Sequence, residues 1–117
     1  MIRHQNLVDA LWDALNHQDI ETALALVHPE ADWQDLMSGG RRHGRDAVRD
    51  YWTSLFGMIR PTTSALAYRR LADDRISARV LHSIHDPKGK LWSEEVVTHV
   101  FGVRDGLLSR MDVAAPD

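Results

Sequence analysis

The feature that most restricts the fold of this chain is a change of hydrophobic period at Pro61. Before it, apolar residues recur three and four positions apart; after it they alternate or run in strand-length blocks. Thr62 to Ala72, Arg75 to His85, Lys90 to Val103 and Leu107 to Val113 read as strands. Only Asp73-Asp74, Asp86-Pro87-Lys88-Gly89 and Asp105-Gly106 separate them, and Asp-Gly is among the strongest hairpin signals. Connections this short cannot carry parallel crossovers, so the second half is expected to be an antiparallel meander. Helices first and sheet second make an α+β fold with the helices on one sheet face.

In the first half, Leu7, Val8, Leu11, Trp12 and Leu15 form the apolar stripe of an amphipathic helix. Asn16-His17-Gln18-Asp19 interrupts it, and Asp19 is placed to cap a second, short helix with Ile20, Ala23, Leu24 and Val27 buried. Pro29 is expected to stop that helix. Ala31 to Leu36 reads as a short strand and Ser38-Gly39-Gly40 as a turn. Gly44 leads into a third helix carrying Val48, Tyr51, Trp52, Leu55, Phe56 and Ile59 on one face.

A chain of 117 residues fits one domain, 1–117, with a real core. A formal charge of -3 gives no electrostatic reason to expect nucleic acid. The absence of cysteine excludes disulfides and thiolate chemistry. Met1 to Asn6 is polar and no apolar run reaches membrane-spanning length, so the expectation is a cytoplasmic protein without membrane contact.

Three stretches carry a family resemblance: Leu15-Asn16-His17-Gln18-Asp19, Val27-His28-Pro29-Glu30-Ala31-Asp32-Trp33, and Gly44-Arg45-Asp46-Ala47-Val48-Arg49-Asp50-Tyr51-Trp52. With Val100 to Leu107 as a closing hairpin, the chain resembles the nuclear-transport-factor-2-like superfamily, in its SnoaL-like and ketosteroid-isomerase-like branch. The resemblance covers nearly the whole chain. It implies a cone-like α+β barrel, with N-terminal helices packed on a curved antiparallel sheet around a hydrophobic pocket. It does not specify an activity, because isomerases, cyclases, dehydratases, epoxide hydrolases and domains without known chemistry share the fold.

By resemblance to ketosteroid isomerase, Asp35 falls on the strand position of that family's general base. In an apolar hollow its proton affinity would rise into the range useful for acid/base work. The phenol and the protonated acid that stabilise that family's enolate are replaced, by Leu11 or Trp12 and by Thr98. The steroid reaction itself is therefore not expected.

Regular hairpins would put His82 near Ser93 and His99 near Asp112, with His82, His99, Arg110 and Asp112 on one sheet face. The other face would then carry Tyr68, Trp92, Val96, Val100 and Met111, and one bulge would exchange these assignments. His99 with Asp112 resembles, loosely, the histidine and aspartate of SnoaL-like cyclases: a neutral imidazole removes a carbon-bound proton and a carboxylate fixes its tautomer. The catalytic candidates are thus Asp35, His99 and Asp112, and the ligand-binding candidates Trp33, His82, Trp52 and Met111.

Each has a structural alternative. Asp35 could cap a turn or pair with Arg41 or Arg42, the histidines could be hydrogen-bonded core residues, and Asp112 could pair with Arg110. Arg41, Arg42, His43 and Arg45 read as a solvated loop. Despite seven histidines, the spacing offers no metal site, and no cofactor is expected. The expected partner is a small hydrophobic, carbonyl-bearing molecule, turned over by cofactor-independent isomerase, cyclase or hydratase chemistry. A noncatalytic ligand-binding or homodimerisation module is the alternative. Apolar residues on both sheet faces point to a homodimer through the face the helices leave open.

Overall fold

The computed structural model describes residues 2–114. Its elements run α1 (Gln5–Asn16), α2 (Ile20–Leu24), β1 (Val27–Gln34), β2 (Arg41–His43), α3 (Arg45–Met58), β3 (Arg60–Arg70), β4 (Arg75–His85), β5 (Leu91–Arg104) and β6 (Leu107–Val113). The strands make one sheet in the order β2-β1-β6-β5-β4-β3, and the helices pack on one of its faces. β4 and β6 occupy the ranges the sequence indicates.

Two readings need correction. The sheet is mixed, because β6 lies between β1 and β5 and runs parallel to β1. The parallel contact needs no crossover of its own, since the whole meander separates the two strands. The second helix ends at Leu24, and Val27 already belongs to β1. Pro29 sits inside that strand, where the β1–β6 register shifts and no ladder donor is required of it.

The helix starts follow local chemistry. Asp19 caps α2 by accepting the Thr22 amide at 3.2 Å. Gly44 precedes α3 at φ 85°, a conformation that favours glycine, and its amide donates to the Ala31 carbonyl at 2.8 Å. Asp105 and Gly106 both have positive φ, 56° and 75°, as a tight primed hairpin turn demands. The stripes of α1 and α3 then bury Val8, Leu11, Trp12, Val48, Tyr51, Trp52 and Phe56 against Ile76, Ala78, Val80, Phe101 and Leu108 of the sheet.

Two bulges set which side chains face the helices. Near its turn the β5–β6 hairpin is regular, pairing Arg104 with Leu107 and Val103 with Leu108, but Gly102 pairs with Arg110 and leaves Ser109 over. That single extra residue turns Met111 and Val113 toward the helices and Asp112 away. In β4–β5, His85 pairs with Leu91 while Ile84 pairs with Ser93, so Trp92 is the extra residue and Glu95 stands opposite His82.

Candidate functional site

The core does not fill the space between helices and sheet; a cavity of about 420 Å³ remains. Its floor is aromatic. Trp12 meets Phe101 with ring centroids 5.8 Å apart, Phe101 meets Trp33 at 5.9 Å, and Trp33 meets Trp52 edge-on at 5.8 Å. Leu11, Leu15, Tyr51 and Leu55 continue the helical wall, and Val97, Met111 and Val113 the sheet wall. Leu36, Met37 and Glu95 are the exposed lining residues and mark the opening.

Two imidazoles interrupt the apolar sheet wall. The rings of His82 and His99 lie 6.4 Å apart, centroid to centroid. His99 is 7% exposed, packed between Trp12 and Phe101, and has no hydrogen-bond partner among the described residues. No buried side-chain nitrogen or oxygen there is both sealed off and unpaired, so the His99 nitrogens open onto the cavity. Burial, reinforced by His82, pushes its pKa from 6.5 down to about 4, leaving a neutral ring at neutral pH. His82 holds Thr63 Oγ1 at 3.3 Å through Nδ1. Its pKa is also lowered by burial, with the Glu95 carboxylate acting in the opposite direction.

Further polar groups line the cavity that the sequence did not single out. Asn16, at the end of α1, donates to the Thr63 carbonyl and accepts the Thr63 amide, both at 2.9 Å. Thr63 pairs across the ladder with His82, so these two hydrogen bonds hold the histidine's neighbour against α1. On α3, the Tyr51 hydroxyl accepts the Leu36 amide at 3.3 Å, and its own proton is free for a further acceptor. Burial raises the Tyr51 pKa and keeps the phenol protonated. Tyr51 and Glu95 escaped notice because one sits on a core stripe and the other depends on a bulged register.

The structure thus brings Trp33, Trp52, His82, His99 and Met111 together around one cavity. Two carboxylates proposed from sequence lie elsewhere. Asp35 is 2% exposed but sits just past β1, in the turn, and is not among the residues lining the cavity. Its Oδ1 accepts the Met37 and Ser38 amides at 2.9 and 3.0 Å, and its Oδ2 accepts Arg42 Nε at 2.9 Å. Burial pushes its pKa up, but the Ser38 amide, Arg42 and the Met37 amide outweigh this and hold it at about 2. The expected rise in proton affinity is reversed, because the carboxylate is enclosed by donors and not by apolar groups.

Asp112 pairs with Val100, and His99 pairs with Val113, so Asp112 and His99 face opposite sides of the sheet. Asp112 instead closes a ring of ion pairs: Arg41 bridges Asp32 and Asp112 at 2.8 and 2.6 Å, and Arg110 bridges the same two carboxylates at 2.9 and 2.8 Å. The expected basic loop is correspondingly strand β2. Alternation sends Arg41 to this outer ring and Arg42 to Asp35. No group of three or more potential metal-binding side chains converges among the described residues, and no helix there is long and apolar enough to cross a membrane.

The sequence profile of the SnoaL-like domain matches residues 8–111. The chain belongs to the SnoaL-like domain family. No curated protein sequence matches it. Solved structures similar to this SnoaL-like domain include a protein of unknown function with the nuclear-transport-factor-2-like fold from Burkholderia pseudomallei. It has a TM-score of 0.83, 20% identity, and covers 99% of this chain and 92% of its own. The Δ5-3-ketosteroid isomerase of a Mycobacterium species superposes with a TM-score of 0.81 at 17% identity, over 95% of this chain and 91% of its own. A Mycobacterium tuberculosis protein in complex with estradiol-17β-hemisuccinate gives 0.82 at 18% identity, over 95% and 92%. At these identities the likeness establishes the fold of this SnoaL-like domain and leaves its chemistry to the residues of its own cavity.

Proposed function

We propose that this SnoaL-like domain binds a small, largely hydrophobic, carbonyl-bearing molecule and moves a proton on it without a cofactor. The observation that carries this reading is His99: a deeply buried imidazole, unpaired among the described residues, on the wall of an aromatic cavity. Trp33, Trp52 and Met111 supply apolar contact, and His82 stands beside His99. The Tyr51 hydroxyl, on the opposite wall, is the donor for the ligand's carbonyl oxygen. Removal of an α-proton by His99 places negative charge on that oxygen, where a phenol in an apolar setting stabilises it.

The exposed side chains Leu66, Trp92 and Val96, with exposures of 56%, 60% and 47%, favour a second copy covering the outer sheet face. Asp35 and Asp112 enter this reading as structural groups only.

A thermal-shift panel of ketones, steroids and aromatic polyketide-like compounds tests the binding claim. At least one class should raise the melting temperature of the native chain. The Val97→Phe variant, with a ring filling the cavity, should lose the shift. A panel that leaves the wild type unmoved, or a variant that responds equally, overturns it. Proton transfer is read as deuterium uptake at the α-carbon of 2-tetralone in heavy water. The wild type should accelerate uptake and His99→Gln should not.

A further inference from the structure

Both aspartates that the sequence offers as catalytic groups are engaged elsewhere, yet a third carboxylate lines the cavity. Glu95 occupies the β5 position directly opposite His82, on the face that also carries Val97 and His99. It is exposed at the opening, whereas His82 is half-buried and His99 lies at the floor. The three therefore form a column running from solvent inward along one sheet wall. Its neighbour Glu94 points to the outer face, where it accepts the Ser83 hydroxyl at 2.9 Å, so the two adjacent glutamates have different environments.

We propose that Glu95 is the positioning carboxylate of this site, acting through His82 to carry protons between His99 and solvent. The proposal rests on the proton-transfer reading of the cavity. His99 accepts the ligand's α-proton and becomes imidazolium while the C–H electron pair passes into the enolate. The imidazolium hands its proton, through one water, to neutral His82. The positive charge then lies beside the Glu95 carboxylate, which stabilises it, and the proton leaves to bulk water or returns by the same route to the ligand carbon. Nothing is oxidised or reduced.

The surroundings of His82 leave this role to Glu95. The titratable groups facing His82 from β5 are Glu95 and His99. β3 presents the Thr63 hydroxyl, α1 the Asn16 amide beyond it, and α3 contributes only the Tyr51 phenol as a titratable lining group. Glu95 is thus the sole anion among the described lining residues. Its charge opposes the effect of burial on His82, the sign a proton-accepting intermediate requires.

The test is a pair of measurements on wild type and Glu95→Gln, a change at an exposed site whose folding is checked by melting temperature. The first is an NMR titration of the ligand-free protein. The His82 midpoint should fall by about half a pH unit or more in Glu95→Gln. An unchanged His82 midpoint overturns the pairing whatever the cavity binds. The second is deuterium uptake by 2-tetralone, which should slow by roughly tenfold in Glu95→Gln and recover in part in Glu95→Asp. Uptake in Glu95→Gln equal to wild type, at every pH, overturns the relay. Absence of uptake in wild type itself instead overturns proton transfer as the function, and with it the relay, while the His82 titration still decides the pairing.

Discussion

Asp35 and Arg42 form a 2.9 Å ion pair beneath the turn that carries Leu36 and Met37 to the cavity. The same carboxylate accepts two turn amides, so one side chain fixes both the backbone path and the arginine of the neighbouring strand. Asp35→Ala leaves those donors without their acceptor and should destabilise the fold by roughly 2 kcal/mol in urea unfolding. Since the folded pKa is depressed to about 2 from 3.8, this stabilisation is complete above the unfolded value and disappears as the pH falls through about 2. Asp35→Asn should leave the acid limb of the pH profile of turnover where wild type has it, because in the proposed mechanism His99, and not Asp35, takes the proton.

His99 gives acid sensitivity of a different kind. Above its unfolded value of 6.5 both states are neutral and it contributes nothing to the pH dependence of stability. As the pH falls from there toward about 4, the unfolded chain takes up a proton that the folded ring refuses, and stability is lost. Melting temperatures of wild type should decline through this window, and those of His99→Gln should decline less. Equal slopes would show that the ring is solvated in the folded state.

Asp112 should prove indifferent to ligand. Asp112→Asn breaks its contacts with Arg41 and Arg110 on the outer face. The expected cost is about 1 kcal/mol, diminished by salt. Thermal shifts with cavity ligands and the NMR midpoint of His99 should match wild type. A displaced His99 midpoint would place the two residues in contact after all.

Assembly is tested on the outer sheet face. Val96→Glu introduces a charge where Val96 and Trp92 are exposed. Sedimentation should show wild type as a dimer and the variant shifted to monomer by tenfold or more in dissociation constant. A wild type that sediments as a monomer at all concentrations overturns the dimer.

Much of the architecture was legible because local signals agreed with the global fold: the period change at Pro61, the Asp19 cap, and Asp105-Gly106. The aromatic floor was legible too, since Trp33 and Trp52 sit on apolar periodicities that also point inward. What escaped the sequence depends on single extra residues. Ser109 turns Asp112 away from His99 and brings Met111 to the cavity, and Trp92 helps set Glu95 opposite His82. Nothing in the pattern Leu107 to Val113 announces that bulge, because Gly102 on the facing strand supplies the room for it. For Asp35 the sequence left two readings open, a group in an apolar hollow and a turn cap paired with Arg41 or Arg42; β2 sets Arg42 against the carboxylate, and the contacts are those of the second reading.

The parallel seam between β1 and β6 also orders events in time. Met111 and Val113 complete the hollow's wall, yet they are among the last described residues to be synthesised. The hollow is therefore closed only in chains where β6 has slid between its two neighbours, and a ligand of the proposed kind would favour those chains over partly folded ones.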